Sequence, residues 1–435
     1  MIATVRQTAR WALSHGLPSV VMRRQAARGD IQGRLVSQGR GMNTDAVAAI
    51  AAEVRADGPL HRSHFAHITA SLPTVKEVLT SNDFRTGVFD PGDGLLGRIG
   101  RWAEEPGRLG PLTPPSLLVT EPPDHTRYRK LVTRVFTARA VEGLRVRTQE
   151  IADELLDELA ASEGPVDLVS AYCSRLPVTV IAEILGVPPA DHDRVLEFGT
   201  AAAPSLDLGL TRSEFRHVER GLGEFQTWLA AHLAHLRDHP GEDLMSQLVR
   251  VRDEGQGLSD EELMATAGLV LAAGFETTVN LLGNGIALLL AHPDQRARLV
   301  EDPSLWSNAV DEVLRLDPPV LLTGRLCVRD TEVAGQPVPR GSVVTTLLAG
   351  ANRDPDVFED ADRFDVARPN ARDHVSFSAG RHFCLGAALA RMEGEVGLRS
   401  LLERYPDLEL LPGAQRRSTR ILRGYAELPA RLTPP

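Results

Sequence analysis

Cysteine is scarce in this chain: Cys173, Cys327 and Cys384 are the only three in 435 residues, and they lie far apart. That excludes a disulfide framework and any zinc or iron–sulfur site built on clustered thiolates, and it suits a reducing cytoplasm. Positive charge is also in deficit. Lys and Arg number 48 against 58 Asp and Glu, a net charge of −10, which argues against general nucleic-acid binding. A secretory signal pattern is missing. Residues 1–29 instead carry five arginines and no acid, which superficially suits a transit peptide. Trp11, Leu17, Val20 and Val21 could lie on the protein or on a membrane surface. The simplest reading makes residues 1–41 an N-terminal extension. Long hydrophobic runs are rare too. Residues 263–291 alone could span a bilayer, but Glu276, Thr277, Thr278, Asn280 and Asn284 sit in their middle, where hydrocarbon would penalise them. A buried central helix explains the run better, so no transmembrane segment is expected.

What is present is sufficient for a large core, with 43% hydrophobic and 24% charged residues. The most informative stretch is Phe377-Ser-Ala-Gly380-Arg381-His382-Phe383-Cys384-Leu385-Gly386. It reads as a loop that presents one thiol and turns into a helix, since Leu389, Val396 and Leu398 alternate with Arg391, Glu393 and Glu395. A helix start offers unpaired N–H groups and a positive dipole end, both of which favour a thiolate. Gly380 and Gly386 remove side chains where backbone must turn sharply or approach a flat ligand. Phe377 supplies an apolar wall and His382 a donor beside the sulfur.

This F-x-x-G-x-x-x-C-x-G spacing resembles the haem-binding loop of the cytochrome P450 family. The resemblance implies haem b (iron protoporphyrin IX) ligated through Cys384 and O2 as co-substrate. Four further motifs follow the family's order. Near Ala272-Ala-Gly274-Phe-Glu276-Thr277, a buried carboxylate and hydroxyl beside a glycine cost stability unless satisfied or used. Thr277 can bond back to the Ala273 carbonyl and bend the helix beside Gly274. The stretch is similar to the family's oxygen-binding motif, which makes Glu276 and Thr277 a proton-delivery pair. Ser259-Asp-Glu-Glu262 is a capping box, so the helix it opens runs to about residue 291, where His292-Pro293 stops it.

Pro123-Asp124 suits a helix start, and His125 and Arg129 fall within roughly 40° of each other on that helix. The resemblance gives them the haem propionates. Arg127, Lys130 and Arg134 point the other way, as a basic stripe on which an acidic electron donor could dock. Glu312 and Arg315 stand one turn apart, commonplace as an ion pair, but in the family this E-x-x-R motif braces the haem loop with a third basic residue, matched here by Arg363. The apolar run Val320-Leu321-Leu322 becomes a pocket wall and Arg325 a further propionate partner.

Elsewhere, residues 87–116 are rich in glycine and proline and read as a mobile lid. Helical patterns cover 141–161, 178–185, 215–236 and 244–253, with 186–212 as a connection. Residues 325–350 alternate as short strands; Cys173 and Cys327 read as packed core residues. The resemblance thus covers residues 42–435 and implies one mainly α domain with a small β region. The expected activity is insertion of one oxygen atom of O2 into a C–H bond of a largely apolar small molecule. Electrons would come from NAD(P)H through ferredoxin reductase and ferredoxin. A peroxide-driven peroxygenase and a non-catalytic haem-thiolate ligand-binding protein are the alternatives.

Overall fold

The computed structural model describes residues 2–86, 94–104, 107–251 and 257–433. Its centre is the helix Asp260–Ala291, 32 residues long. The start is held by the expected reciprocal cap: Ser259 Oγ accepts from the Glu262 N–H, and the Ser259 N–H donates to Glu262 Oε2 at 2.8 Å. The end falls at His292-Pro293, where proline cannot supply the next N–H. Leu271, Phe275, Leu282 and Ile286 are buried on it. They join the main core with residues of Arg145–Ala160, Arg175–Ile184, Arg212–Asp238, Trp306–Leu316 and Ala387–Arg404. A run that composition alone would allow to cross a bilayer is therefore mostly covered by protein.

The β region is small. One five-stranded sheet runs in the order His61–Arg62, His67–Thr69, Val343–Thr346, Thr323–Cys327, Phe84–Arg85. All its pairings are antiparallel except His67–Thr69 with Val343–Thr346. Cys327 is buried in this sheet and Cys173 in the main core, both as the sequence indicates.

Three regions differ from expectation. Residues 186–212 contain the helix His192–Ala202, masked in the sequence by its short apolar pattern; it lies so close to the central helix that a Cβ on Gly199 would overlap the Phe275 ring. The Gly/Pro-rich stretch contains the helix Leu95–Ala103, despite two glycines. Residues 87–93 and 105–106 of that stretch lie outside the described residues. Residues 1–41 are also more built than an extension requires. They are helical over Ile2–Ala26 and Ile31–Gln38, and Ile31 and Leu35 pack in one cluster with Val47, Ile50, Val54 and Ile68.

Candidate active site

Between the cysteine loop and the middle of the central helix lies a cavity of about 620 Å3, within the range of small-molecule sites. Cys384 lies on one wall, with Phe377, His382, Leu385 and Gly386. Ala273, Gly274, Glu276 and Thr277 line it from the central helix. Cys384 is open to this cavity but packed by protein elsewhere. Burial raises its thiol, opposed by the Gly386 N–H, Arg129 and Arg391.

The loop's shape is set by its backbone. Gly380 has φ +67°, and a Cβ there would come within 2.6 Å of the Leu79 carbonyl oxygen. Only glycine fits. The Cys384 N–H donates to the Phe377 carbonyl at 2.9 Å, which closes the loop. Gly386 opens on the cavity, and a Cβ there would meet nothing within 4 Å. The helix itself begins at Ala387, so the sulfur sees one N–H just before the helix rather than its whole first turn.

Behind the loop is a saturated ionic brace. Arg315 donates to both oxygens of Glu312, at 2.7 and 2.9 Å, and both side chains are fully buried. The third basic residue is Arg368, whose Nε donates to Glu312 Oε1 at 3.1 Å. Arg363, the residue expected from the motif, is exposed and contributes only its backbone carbonyl, which accepts from Arg315 and Arg368. The reason is the turn at Asp360–Arg363, which directs that carbonyl inward and the side chain to solvent. Arg315 also donates to the Asn352 carbonyl; Asn352 in turn holds Ser376 and Val375, beside Phe377. Asp311 adds a second link by accepting from Arg391 and facing His374.

His125, Arg129 and Arg325 all reach the cavity. His125 Nε2 is buried without a hydrogen-bond partner, and burial, then His382 and Arg129, lower the ring to about 4. Burial also lowers Arg325 to about 10. Its guanidinium donates to Thr323 Oγ1 and the Gly324 carbonyl, and among the described residues it meets no carboxylate. A buried guanidinium without a bound carboxylate and an orphaned imidazole nitrogen, on the wall of one cavity, suit anionic groups. These features, the open thiol and the space at Gly386 fit a haem carrying two propionates.

Sequence reasoning missed Glu121. It accepts from Thr86 through both N–H and hydroxyl and from Arg381, and faces His382 Nε2 at 3.2 Å. Burial would raise its carboxyl, but the bonds from His382, Thr86 and Arg381 outweigh that and hold it at about 2. Its place beside Pro122-Pro123 gave no signal of a partner some 260 residues away.

On the opposite wall, Thr277 Oγ1 donates to the Ala273 carbonyl at 3.1 Å, as expected. Gly274 does line the cavity, but its missing side chain is explained by packing, since a Cβ would come 3.0 Å from Ile181 Cγ1. Glu276 Oε1 is paired with Arg417, and Oε2 has no partner. Burial outweighs Arg417 and keeps the carboxyl above its ordinary range. Another buried carboxyl, Glu393, lies in the helix after Cys384; burial, weakly opposed by the nearby Thr278 hydroxyl, raises it to about 8, and neither of its oxygens has a hydrogen-bond partner.

The expected pocket wall is only partly right. Val320 and Leu322 line the cavity, whereas Leu321 is fully buried in the separate cluster with Ile31 and Leu35. Alternation in extended chain turns it away. The basic stripe also changes. Arg127 is half-buried and bonded to Glu262, in the central helix's cap, so it is a structural tie rather than part of a docking face.

The mid-chain match is direct: residues 211–422 fit the family described as Cytochrome P450. The chain is 50% identical to the putative cytochrome P450 140 of Mycobacterium tuberculosis, over 98% of this chain and 97% of that protein. The chain belongs to the cytochrome P450 family. The P450 is also similar to vitamin D(3) 25-hydroxylase of Pseudonocardia autotrophica, 44% identical over 74% of this chain and 80% of that one. Among solved structures it resembles myxobacterial CYP267B1 in complex with myristic acid. That match has a TM-score of 0.79 and 35% identity, over 89% of this chain and 96% of that one. The P450 is thus a haem-thiolate monooxygenase that uses O2, a small-molecule substrate and a redox partner.

Proposed function

We propose that this P450 holds haem b on Cys384, with His125, Arg129 and Arg325 on its propionates, and hydroxylates a largely apolar small molecule. The observation that carries this reading is one cavity bounded by the Cys384 thiol, the Arg325 guanidinium with no carboxylate on it, the partnerless His125 Nε2 and the Glu276-Thr277 pair. When bound, the haem-thiolate group supplies the activation of dioxygen. The chain supplies position, proton access and exclusion of water. Leu117, Val119, Phe225 and Leu229 add apolar walls for the substrate, which desolvate its C–H bond and hold it by shape rather than by charge.

Protons move along the central helix. Burial raises the affinity of Glu276 for a proton against the pull of Arg417, which pairs with Oε1 and leaves Oε2 open. Thr277 Oγ1 can release the Ala273 carbonyl and pass a proton from the buried carboxyl to the cavity. Electrons come from NAD(P)H through a ferredoxin reductase and a ferredoxin, and the protein works in the cytoplasm. Glu312, Arg315 and Arg368 hold the cysteine loop in place without touching the reacting atoms.

Reduction under carbon monoxide should give the absorption band characteristic of thiolate ligation, and Cys384→Ser should abolish it. Turnover with NAD(P)H and a surrogate ferredoxin system should exceed turnover with peroxide alone. Peroxide-only activity would instead make it a peroxygenase, and ligand binding without turnover a non-catalytic binder.

A further inference from the structure

The N-terminal helices carry an outward face that the active site does not explain. Ile2–Trp11 and Leu17–Ala26 are joined by one π-helical turn, Ala12–Gly16, with helical backbone on both sides. Their inner side is fixed. Trp11 Nε1 donates to the Leu210 carbonyl at 2.9 Å, Arg10 pairs with Glu219, and Trp11 packs on Leu210, Phe215 and Val218. The outer side is apolar and basic. Val5, Leu17, Val20 and Val21 are between 38% and 53% exposed, and Trp102 of the neighbouring helix Leu95–Ala103 is 43% exposed. Those five are nearly half of the eleven large exposed apolar side chains among the described residues.

Their register is concerted. Leu17, Val20, Val21 and Arg24 fall within about 100° of arc on one helix. An uninterrupted α-helix would put Val5 about 120° from Leu17; the π turn absorbs one residue and brings them within about 20°. Arg6 lies over the Trp102 ring at 5.3 Å and ties the two helices' outer surfaces together. Among the described residues, Arg23, Arg24 and Arg28 have no acidic partner, although the chain as a whole is acidic.

We propose that this face docks on the surface of an anionic lipid bilayer. An exposed row of Leu and Val would lose solubility for nothing if the arginines served only solvation. Arginine heads around an apolar strip, with a tryptophan at the edge, match the layered polarity of a bilayer interface. An acidic protein partner would account for the arginines but not for the exposed Leu17, Val20 and Val21 beside them.

The test uses the full-length haem-loaded protein and floats it with vesicles of phosphatidylglycerol and phosphatidylcholine, or of phosphatidylcholine alone. The expected result is co-flotation with the anionic vesicles, weakening as salt rises, and a blue shift of tryptophan emission. The triple variants L17S/V20S/V21S and R6Q/R24Q/R28Q should each lower partitioning about 100-fold, with the reduced carbon monoxide band unchanged as the check on folding. Absence of flotation, or flotation of either triple variant equal to that of the unaltered protein, overturns the proposal. So does a dimer in solution that L17S/V20S/V21S dissociates, or capture by an acidic protein with no vesicle binding.

Discussion

Glu312 and Glu276 are both buried carboxylates opposite arginines, yet their surroundings differ in kind. Glu312, behind the cysteine loop, accepts from Arg315 through both oxygens, from Arg368, and from the Asp365 N–H. Glu276, at the cavity, has Arg417 on one oxygen and nothing on the other, and its affinity for a proton is raised by burial. A carboxylate with both oxygens engaged by donors from three residues is held in place, and its removal strands its partners. One left half-satisfied can exchange a proton at modest cost, which is what a relay needs. The same residue type is a brace in one place and a working group in the other, by count of partners alone.

The largest test of that contrast removes the brace. Glu312→Ala leaves Arg315 and Arg368 buried without their counter-charge and should cost roughly 3–5 kcal/mol, read as a lower urea midpoint and reduced haem content. An unchanged midpoint would end the distinction. Next, Arg368→Ala should cost about 2–3 kcal/mol, whereas Arg363→Ala, whose side chain is exposed, should stay within about 0.5 kcal/mol. The opposite ranking would restore the motif-based assignment.

A third buried carboxyl sharpens the comparison, because Glu393 has no arginine in hydrogen-bonding contact. Its folded value of about 8 lies above the ordinary 4.5, so its stabilising contribution is complete below pH 4.5 and is lost as pH rises through 8. Glutamine mimics the protonated form. Glu393→Gln should therefore match the wild type near pH 4.5 and become more stable on the order of 2 kcal/mol by pH 8, measured by chemical unfolding at each pH. A pH-independent gap would contradict the assigned protonation state. The smallest effect on folding belongs to Thr277→Ala, within about 0.5 kcal/mol. Haem binding should persist while electrons divert from product to hydrogen peroxide. Undiminished product per NAD(P)H would remove the relay from Thr277.

The sequence-based reading succeeded where partners are near in the chain. The Ser259–Glu262 cap, the stop at His292-Pro293, the Thr277 bond to Ala273 and the Glu312–Arg315 pair all span four residues or fewer. Local geometry decides such contacts, so spacing alone discloses them. The Gly380 position and the cysteine loop were equally legible, since a positive φ demands glycine wherever the loop is placed.

Misses came from long separations. Arg368 rather than Arg363 completes the brace, Arg127 is tied to Glu262, and Leu321 faces a second core instead of the cavity. Glu121 under His382 and Arg417 on Glu276 had no signal at all. By itself, the order of residues determined the family, the central helix and the thiol. Tertiary structure alone decided which charge meets which, because burial and pairing depend on elements brought together from far along the chain, and no local rule ranks one distant arginine over another.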